Sequence, residues 1–353
     1  MRVVVAMSGG VDSSVAAGLM VEAGHEVIGV HMRLHDEAPS EKAGHCCGFD
    51  DAMDARRVAS DLDIPFYVLD LRKPFKKAVM DDLTMTYLRG KTPNPCIRCN
   101  GVLKFKVLMQ RALSLGADAL ATGHYARLVR EGGQVAMHTG LDDDKDQSYF
   151  LFPIEQRALA KTLFPIGELT KAEVRDHAER MGLVTAYKPE SQEVCFLPDD
   201  DHTRFISEQR ADLDASGEIV DEDGKILGFH SAYYKYTVGQ RKGLGISLGV
   251  PAYVVRVEAD TQRVVVSTDP GRLARKGMRL VSPNWFERPA EGEWVDVRIR
   301  HRGRRIRCTV SGDADTVMFE GEARAVAPGQ AAVFYRGDRV LGGGWIEEPI
   351  AVG

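Results

Sequence analysis

Apolar residues form a short unbroken run at positions 3–6, fill a stretch at 15–21 that reads as a helix, and run together again at 26–32. Unbroken short runs predict strands buried on both faces, whereas 3.6-residue spacing predicts helices, and Gly24 ends the first of these. The alternation continues. Residues 50–62 carry Ala52, Ala55, Val58, Ala59 and Leu62 on one helical side; 65–70 is a third strand; 75–88 is a helix with Ala78, Val79, Leu83 and Leu88 inward. A helix over 101–115 and a fourth strand over 118–125 follow, then a hairpin through Glu131-Gly132-Gly133. Thr170-Lys171-Ala172-Glu173 is a capping box opening a helix to about Met181. This order predicts an α/β domain with a doubly wound parallel sheet.

Beyond Asp201 the pattern shifts to strands and turns. Asp223-Gly224 between 217–220 and 225–227 is a hairpin signal, and 251–268 alternates as paired strands do. Short strands recur at 294–299, 306–310, 331–335 and 340–341, predicting a small barrel or sandwich.

At 353 residues the chain is long for one domain and predicts two or three. No apolar run approaches a membrane span and Met1-Arg2 leads straight into a strand, so the expectation is a cytoplasmic protein with no membrane partner. The six cysteines are then read as thiols for catalysis or metal before disulfide scaffolding. A net charge of −5 excludes a uniformly basic nucleic-acid binder, so RNA contact requires a local patch.

Between the first strand and helix stands Ser8-Gly9-Gly10-Val11-Asp12-Ser13-Ser14. Glycine lets the backbone approach an anion, and the first N–H groups of a helix point at whatever sits there, so the stretch is a phosphate cradle. The bland alternative is a turn capped by Ser8 or Asp12. No Gly-Lys-Ser/Thr follows, so the pattern is not Walker-type and the expectation is that no lysine is placed to reach a terminal phosphate.

Cysteine placement carries the second signal. Arg89 to Asn100 holds Thr92-Pro93-Asn94-Pro95-Cys96-Ile97-Arg98-Cys99, where two prolines predict extended backbone and Cys99 falls at the start of a helix. A thiol there, with Arg98 and Lys104 near, is expected to have a depressed pKa. Cys96 and Cys99 also read as a redox pair or half a zinc site, but no second half is present. Cys195 lies in a polar loop, where it reads alone as an ordinary half-buried cysteine. His45-Cys46-Cys47 reads as structural, because adjacent cysteines chelate one tetrahedral ion poorly. Gly123 before His124 predicts close approach to a ligand, Met32 ends a strand where an adenine could lie, and 142–150 reads as a solvated charged loop.

The Ser8–Ser14 string resembles the PP-loop of the ATP pyrophosphatase superfamily. With the 92–100 stretch, Ala121-Thr122-Gly123-His124-Tyr125, Lys145-Asp146-Gln147-Ser148-Tyr149, Cys195-Phe196, Tyr236-Thr237-Val238-Gly239-Gln240-Arg241 and Pro328-Gly329-Gln330 in one order, the chain looks like the tRNA-specific 2-thiouridylases nearly end to end. Cys96 departs from the best-known pattern, where some members carry aspartate. The resemblance implies a Rossmann-like (adenine nucleotide alpha hydrolase-like) domain over 1–200, a small central domain over 201–268 and a C-terminal β-barrel over 269–353. It implies ATP binding by Ala6, Met7, Ser8, Gly9, Gly10, Val11, Asp12, Ser13, Met32 and Gly123, with Mg²⁺ to neutralise the pyrophosphate leaving group. It further implies tRNA contacts from Asn94, Pro95, Cys96, His124, Lys145, Asp146, Gln147, Arg300, His301 and Gln330. Cys195 is then the persulfide carrier and Cys99 the nucleophile that releases its sulfur, with a disulfide between them after turnover. The implied partners are tRNAs with a wobble uridine, the Lys, Glu and Gln acceptors, and a cysteine desulfurase or sulfur-relay protein. Three thiolates, Cys96, Cys99 and Cys195, also match the three-point ligation of an iron–sulfur cubane with one iron left open.

Arg298 to Arg307 packs six arginines into ten residues. With Val297, Ile299 and His301 on one strand face, Arg298, Arg300 and Arg302 form a basic stripe on the other, which reads as a phosphate-binding surface or as a charged edge strand. Two other functions stay open on the residues alone: a small-molecule adenylating ligase, which needs no paired cysteines, and a non-catalytic RNA binder. AMP release that depends on tRNA, occurs without it, or does not occur separates the three.

Overall fold

Val3 and Val5 are wholly buried at the centre of a parallel sheet, as an unbroken apolar run requires. The structure, a computed structural model, describes residues 1–36, 49–190, 194–311 and 315–352. The expectations for Cys46 and Cys47 lie outside the described residues. The chain divides into two units: one of Met1–Met80, Cys96–Asp200 and Asp338–Val340, the other of Asp81–Pro95, Asp201–Gly337 and Leu341–Gly353.

In the first unit, β1 (Arg2–Ala6), β2 (Glu26–Arg33), β3 (Phe66–Asp70) and β4 (Ala119–Thr122) are the four anticipated strands. β5 (Ala126–Glu131) and β6 (Gln134–Thr139) form the antiparallel hairpin, and the two-residue β7 (Thr162–Leu163) joins the sheet unannounced. The sheet order is β3-β2-β1-β4-β7, all parallel, with Val3 opposite both Val27 and Ala119. Helices Val11–Glu22, Phe49–Asp61 and Lys171–Arg180 bury Val15, Ala16, Ala55, Val58, Val174 and Ala178 in one core. The capping box is formed in full, with Thr170 Oγ1 accepting from Glu173 N.

Two helices depart from expectation. The one anticipated over 75–88 starts earlier, as Arg72–Phe75, Lys76–Met80 and Asp81–Leu88 in succession. The one anticipated from Gly101 begins at Pro95 and runs through Pro95–Arg98, Cys99–Leu108 and Met109–Ser114. Pro95 starts a helix because proline lacks only an N–H that the first turn leaves unpaired anyway. Cys99–Leu108 is wound wider, with i→i+5 bonds such as Met109 N to Lys104 O, a form concentrated at functional sites.

In the second unit, β8 (Gly217–Val220), β9 (Ile226–His230), β10 (Tyr253–Glu258) and β11 (Arg263–Ser267) form a sheet of order β10-β11-β8-β9. Gly224, with φ +83°, makes the β8–β9 turn where Asp223-Gly224 signalled it. The rest is a closed barrel: β12 (Ala274–Trp285), β13 (Val295–Arg298), β14 (Ile306–Val310), β15 (Thr316–Arg324), β16 (Ala331–Arg336) and β17 (Arg339–Ala351), in the order β12-β15-β14-β13-β16-β17, with β17 returning to β12. Closure leaves no free edge, which resolves barrel against sandwich. β12 and β15 were not apparent from the sequence because glycine, proline and charge interrupt their alternation. Their inward positions, Met278, Leu280, Val317, Phe319 and Ala323, are core. No described helix is long and apolar enough to cross a membrane.

Candidate nucleotide and sulfur-transfer site

The Ser8–Ser14 turn takes its shape from Gly9, whose φ of +83° suits glycine and whose added Cβ would stand 2.2 Å from the Asp51 carbonyl. Gly10 is extended and forms the helix N-terminus without any side-chain cap, so neither Ser8 nor Asp12 fills the capping position. Ser13 Oγ accepts from Ser8 N at 3.1 Å and donates to Gly10 O at 3.1 Å. Met7 carbonyl accepts from His31 Nδ1 at 2.9 Å, and burial keeps His31 below the ordinary histidine range. The loop is thereby held open at the carboxyl end of the central strand, with helix N–H groups at its mouth.

Gly123 is packed tight against the start of the first helix. A Cβ there would stand 2.6 Å from Asp12 C and 2.7 Å from Ser13 N, so the glycine lets β4 end against the helix start. Met32, half-buried at the end of β2, and Ala6 and Val11, both buried, line the same end of the sheet.

A lysine does reach the cradle, from 159 residues away. Lys171 Nζ donates to Asp12 Oδ1 at 2.6 Å and pairs with Glu190 Oε1 at 2.5 Å, while Lys145 pairs with Glu190 Oε2 at 2.7 Å. Tyr125 hydroxyl donates to the same Asp12 oxygen at 2.8 Å, and burial with that carboxylate keeps it protonated. Burial pushes Glu190 up, but the Lys145 and Lys171 ammoniums outweigh it and hold the carboxyl below the ordinary glutamate range. Lys188, salt-bridged to Asp51 at 2.5 Å and Asp54 at 2.6 Å, braces the helix behind Gly9. The sequence hid Lys171 as an ordinary residue of the capping box; its spacing from the glycines carries no signal.

Cys96, Cys99, Cys195 and Cys308 are thiols in the described structure. Cys96 is exposed; Cys99 and Cys195 are half-buried. Because the helix starts at Pro95, Cys99 lies a turn inside it. Burial pushes its thiol up to about 12, opposed by the Lys104 charge and reinforced by the neighbouring Cys195 and Cys96. The expected depressed pKa is therefore reversed: desolvation outweighs the lysine. Among the described residues no three His, Cys, Asp or Glu side chains are gathered as a metal would need.

Other anticipated contacts have protein partners. His124 is 8% exposed, with Nδ1 2.6 Å from Thr122 Oγ1, Nε2 3.4 Å from Lys104 Nζ, and the rings of Phe105 and Phe164 beside it. Burial and Lys104 hold it neutral. Asp146 is 2% exposed and accepts from Gly140 N, Ser148 N and Ser148 Oγ, so 142–150 is not the solvated loop its charges suggest. Gln147 Oε1 accepts from Tyr125 N at 3.0 Å. In the second unit Asn94 and Pro95 are half-buried, and Gln330 bonds the chain before them.

The arginine stripe is not a strand face. β13 ends at Arg298 and residues 299–303 turn, so Arg300, Arg302 and Arg304 project from a hairpin, exposed, with His301 half-buried among them. Arg298 and Arg305 lie over the buried Tyr335 ring at 5.3 and 4.4 Å, and Arg307 over Trp294 at 5.8 Å.

A parallel sheet with a serine–glycine turn and an uncapped helix N-terminus after its first strand defines a doubly wound α/β domain of the kind that takes ligands at the carboxyl ends of its strands. Residues 1–199 match the tRNA methyl transferase HUP domain model, 203–268 the tRNA methyl transferase PRC-barrel domain, and 275–346 the aminomethyltransferase beta-barrel domain. The tRNA-specific 2-thiouridylase MnmA of Geotalea uraniireducens is 49% identical, covering 99% of this chain and 96% of that protein. That of Geobacter metallireducens is 49% identical over 100% and 98%, and that of Carboxydothermus hydrogenoformans 46% over 98% of each. The chain belongs to the tRNA-specific 2-thiouridylase family. Among solved structures, a 4-thiouridine synthetase–RNA complex with bound ATP aligns over 55% of this chain and 44% of its own, at 18% identity and TM-score 0.37, a likeness too loose to bear on function.

Proposed function

We propose that the protein puts sulfur on C2 of the wobble uridine of tRNA at the expense of ATP, giving 2-thiouridine, AMP and pyrophosphate. The observation that carries this reading is that one folded unit holds both a phosphate cradle and the thiols of Cys99 and Cys195. The cradle suits a triphosphate through its N–H groups, Ser8 and Ser13. Asp12, whose Oδ1 alone is taken by Lys171 and Tyr125, would hold a Mg²⁺, which would supply charge neutralisation for a departing pyrophosphate.

The uridine O2 attacks the α phosphorus and pyrophosphate leaves, which makes that oxygen part of a good leaving group. A persulfide on Cys195 then attacks C2 through its terminal sulfur. As the Cys99 thiolate attacks Cys195 Sγ, the sulfur–sulfur bond breaks, AMP departs from C2, and the two cysteines are left as a disulfide. The transferred sulfur gains the two electrons that the cysteine pair loses. An external thiol resets the disulfide, and a cysteine desulfurase or relay protein reloads Cys195. Since burial keeps Cys99 protonated without substrate, release waits for its deprotonation, and Lys104 supplies the charge that favours the thiolate. The Lys, Glu and Gln acceptors fit as substrates by family. The 1–200, 201–268 and 269–353 divisions then separate chemistry, central support and tRNA contact.

Incubation with desulfurase, cysteine, tRNA and α-labelled ATP tests this. AMP release that requires tRNA, persulfide on Cys195 and a Cys99–Cys195 disulfide after one turnover are expected. A Cys195→Ala protein that still makes 2-thiouridine from desulfurase-derived sulfur would overturn it, and tRNA-independent AMP release would instead favour a small-molecule ligase.

A further inference from the structure

The segment that leads to Cys195 is fastened at several points, all within the first unit. Arg175 donates through Nη1 to Ala186 O at 2.6 Å and through Nη2 to Lys188 O at 3.4 Å, and Lys188 pairs with Asp51 and Asp54. Glu190 closes the series. Each of its carboxylate oxygens takes a different ammonium, Oε1 that of Lys171 at 2.5 Å and Oε2 that of Lys145 at 2.7 Å. Five residues on, Cys195 lies in the turn 194–197, where Leu197 N donates to Val194 O at 3.0 Å. The next side chain, Phe196, is buried edge-on against Phe75, with ring centres 5.3 Å apart. Five residues span at most about 18 Å, so the Glu190 carboxylate limits how far the thiol can travel.

Glu190 shares its cation with the cradle. Lys171 Nζ also donates to Asp12 Oδ1 at 2.6 Å, so one ammonium serves a carboxylate at the helix start and a carboxylate of the Cys195 segment. The Lys171 and Glu190 side chains are only 13% and 24% exposed, so salt and water screen the pair little. Phosphate oxygens brought to the helix N-terminus compete for that ammonium, and whatever they gain Glu190 loses. We propose that Glu190 is a positioning residue that carries the state of the cradle to Cys195. With the cradle empty, both ammoniums hold the carboxylate. A bound triphosphate draws Lys171 away and leaves Glu190 on Lys145 alone, so the 194–197 turn loosens and the Cys195 thiol becomes easier to reach. The use of this freedom rests on the thiolation reading above: the persulfide carrier is released toward the uridine once nucleotide is in place.

The test uses the full-length reduced protein without tRNA and, as probe, the α,β-methylene analogue of ATP with Mg²⁺. Equilibrium dialysis reads its binding, and peptide mass spectrometry reads the iodoacetamide alkylation rate of Cys195. Saturating analogue should raise the wild-type rate roughly two- to tenfold, the range expected when one partly buried ion pair is lost. Glu190→Gln, which keeps the shape of the side chain without its charge, should alkylate at the fast rate with or without the analogue; a merely structural role would not remove the nucleotide dependence. Lys145→Met leaves Glu190 on Lys171 alone, so the analogue should accelerate Cys195 more than in wild type, and this variant remains informative if Glu190→Gln fails to fold. Bound analogue that leaves the wild-type rate unchanged or lowers it, an acceleration that persists in Glu190→Gln, or a Lys145→Met response no larger than that of wild type would overturn the assignment. Failure of the analogue to bind would remove the cradle reading and this assignment together. Bound analogue and an accelerated Cys195 in a protein that makes no 2-thiouridine would sink the thiolation reading alone.

Discussion

The Ser8–Ser14 cradle and the arginine-rich hairpin are the two densest signals in the chain, and they fared differently on folding. In the cradle, glycine dictates backbone shape over seven residues, and the turn is as its residues demand: Gly9 at φ +83° and a helix N-terminus left open at Gly10. In the hairpin, six arginines share ten residues, yet two lie on Tyr335, one on Trp294, and the rest project from a turn that breaks the expected strand face. Backbone conformation is a local property, readable where glycine enforces it. What a charge does depends on which partner the fold brings to it.

The largest effect expected from this contrast is at Gly9. Gly9→Ala would put a methyl 2.2 Å from the Asp51 carbonyl in a left-handed conformation, so ATP binding should be lost and the melting temperature lowered. Equilibrium dialysis with ATP and a thermal melt check this; normal ATP affinity would mean the cradle is not set by that glycine.

Cys99 is the next test of local signal against tertiary setting. Arg98, Lys104 and a helix start argued for a low pKa, but burial pushes the thiol up to about 12. The thiolate fraction should then climb about tenfold per pH unit, so alkylation of Cys99 in the free enzyme should rise without plateau from pH 7 to 10. It should fall as pH drops, since acid favours the thiol. Lys104→Met should slow it further. A plateau below pH 8 would restore the local argument.

Lys171 reverses the cradle's apparent self-sufficiency. It stands 2.6 Å from Asp12 and 2.5 Å from Glu190, two carboxylates it neutralises beside the helix N-terminus. Lys171→Met should weaken ATP about ten- to hundredfold, because the bare carboxylates then repel the phosphates, while AMP affinity changes less. Equal losses for ATP and AMP would reduce Lys171 to a strut.

What was legible follows the same division. The parallel sheet, the capping box at Thr170 and the Asp223-Gly224 turn were readable because apolar runs, paired end groups and glycine act within a few residues. β7 was too short to make a run, and β12 alternates only when its barrel partners are known. Lys171, Glu190 and the buried Asp146 were illegible, since each is defined by residues far away or by a burial that its own polar neighbours disguise.

The smallest effects separate the arginines from one another. Arg300 and Arg302 are exposed on the turn, whereas Arg298 and Arg305 both pack on the Tyr335 ring. If the turn meets RNA phosphate, Arg300→Ala with Arg302→Ala should reduce the slope of log tRNA affinity against log salt by about one unit for each phosphate no longer neutralised, and leave the melting temperature alone. Arg298→Ala with Arg305→Ala should do the reverse: each substitution removes a cation–π interaction of about 0.5–1 kcal/mol and the packing of the arginine stem on the ring, so stability falls while the slope holds. Filter binding at a series of salt concentrations and denaturant melts on both double variants decide it. A slope that moves only with Arg298 and Arg305 would show that the packed arginines, and not the projecting ones, meet the nucleic acid.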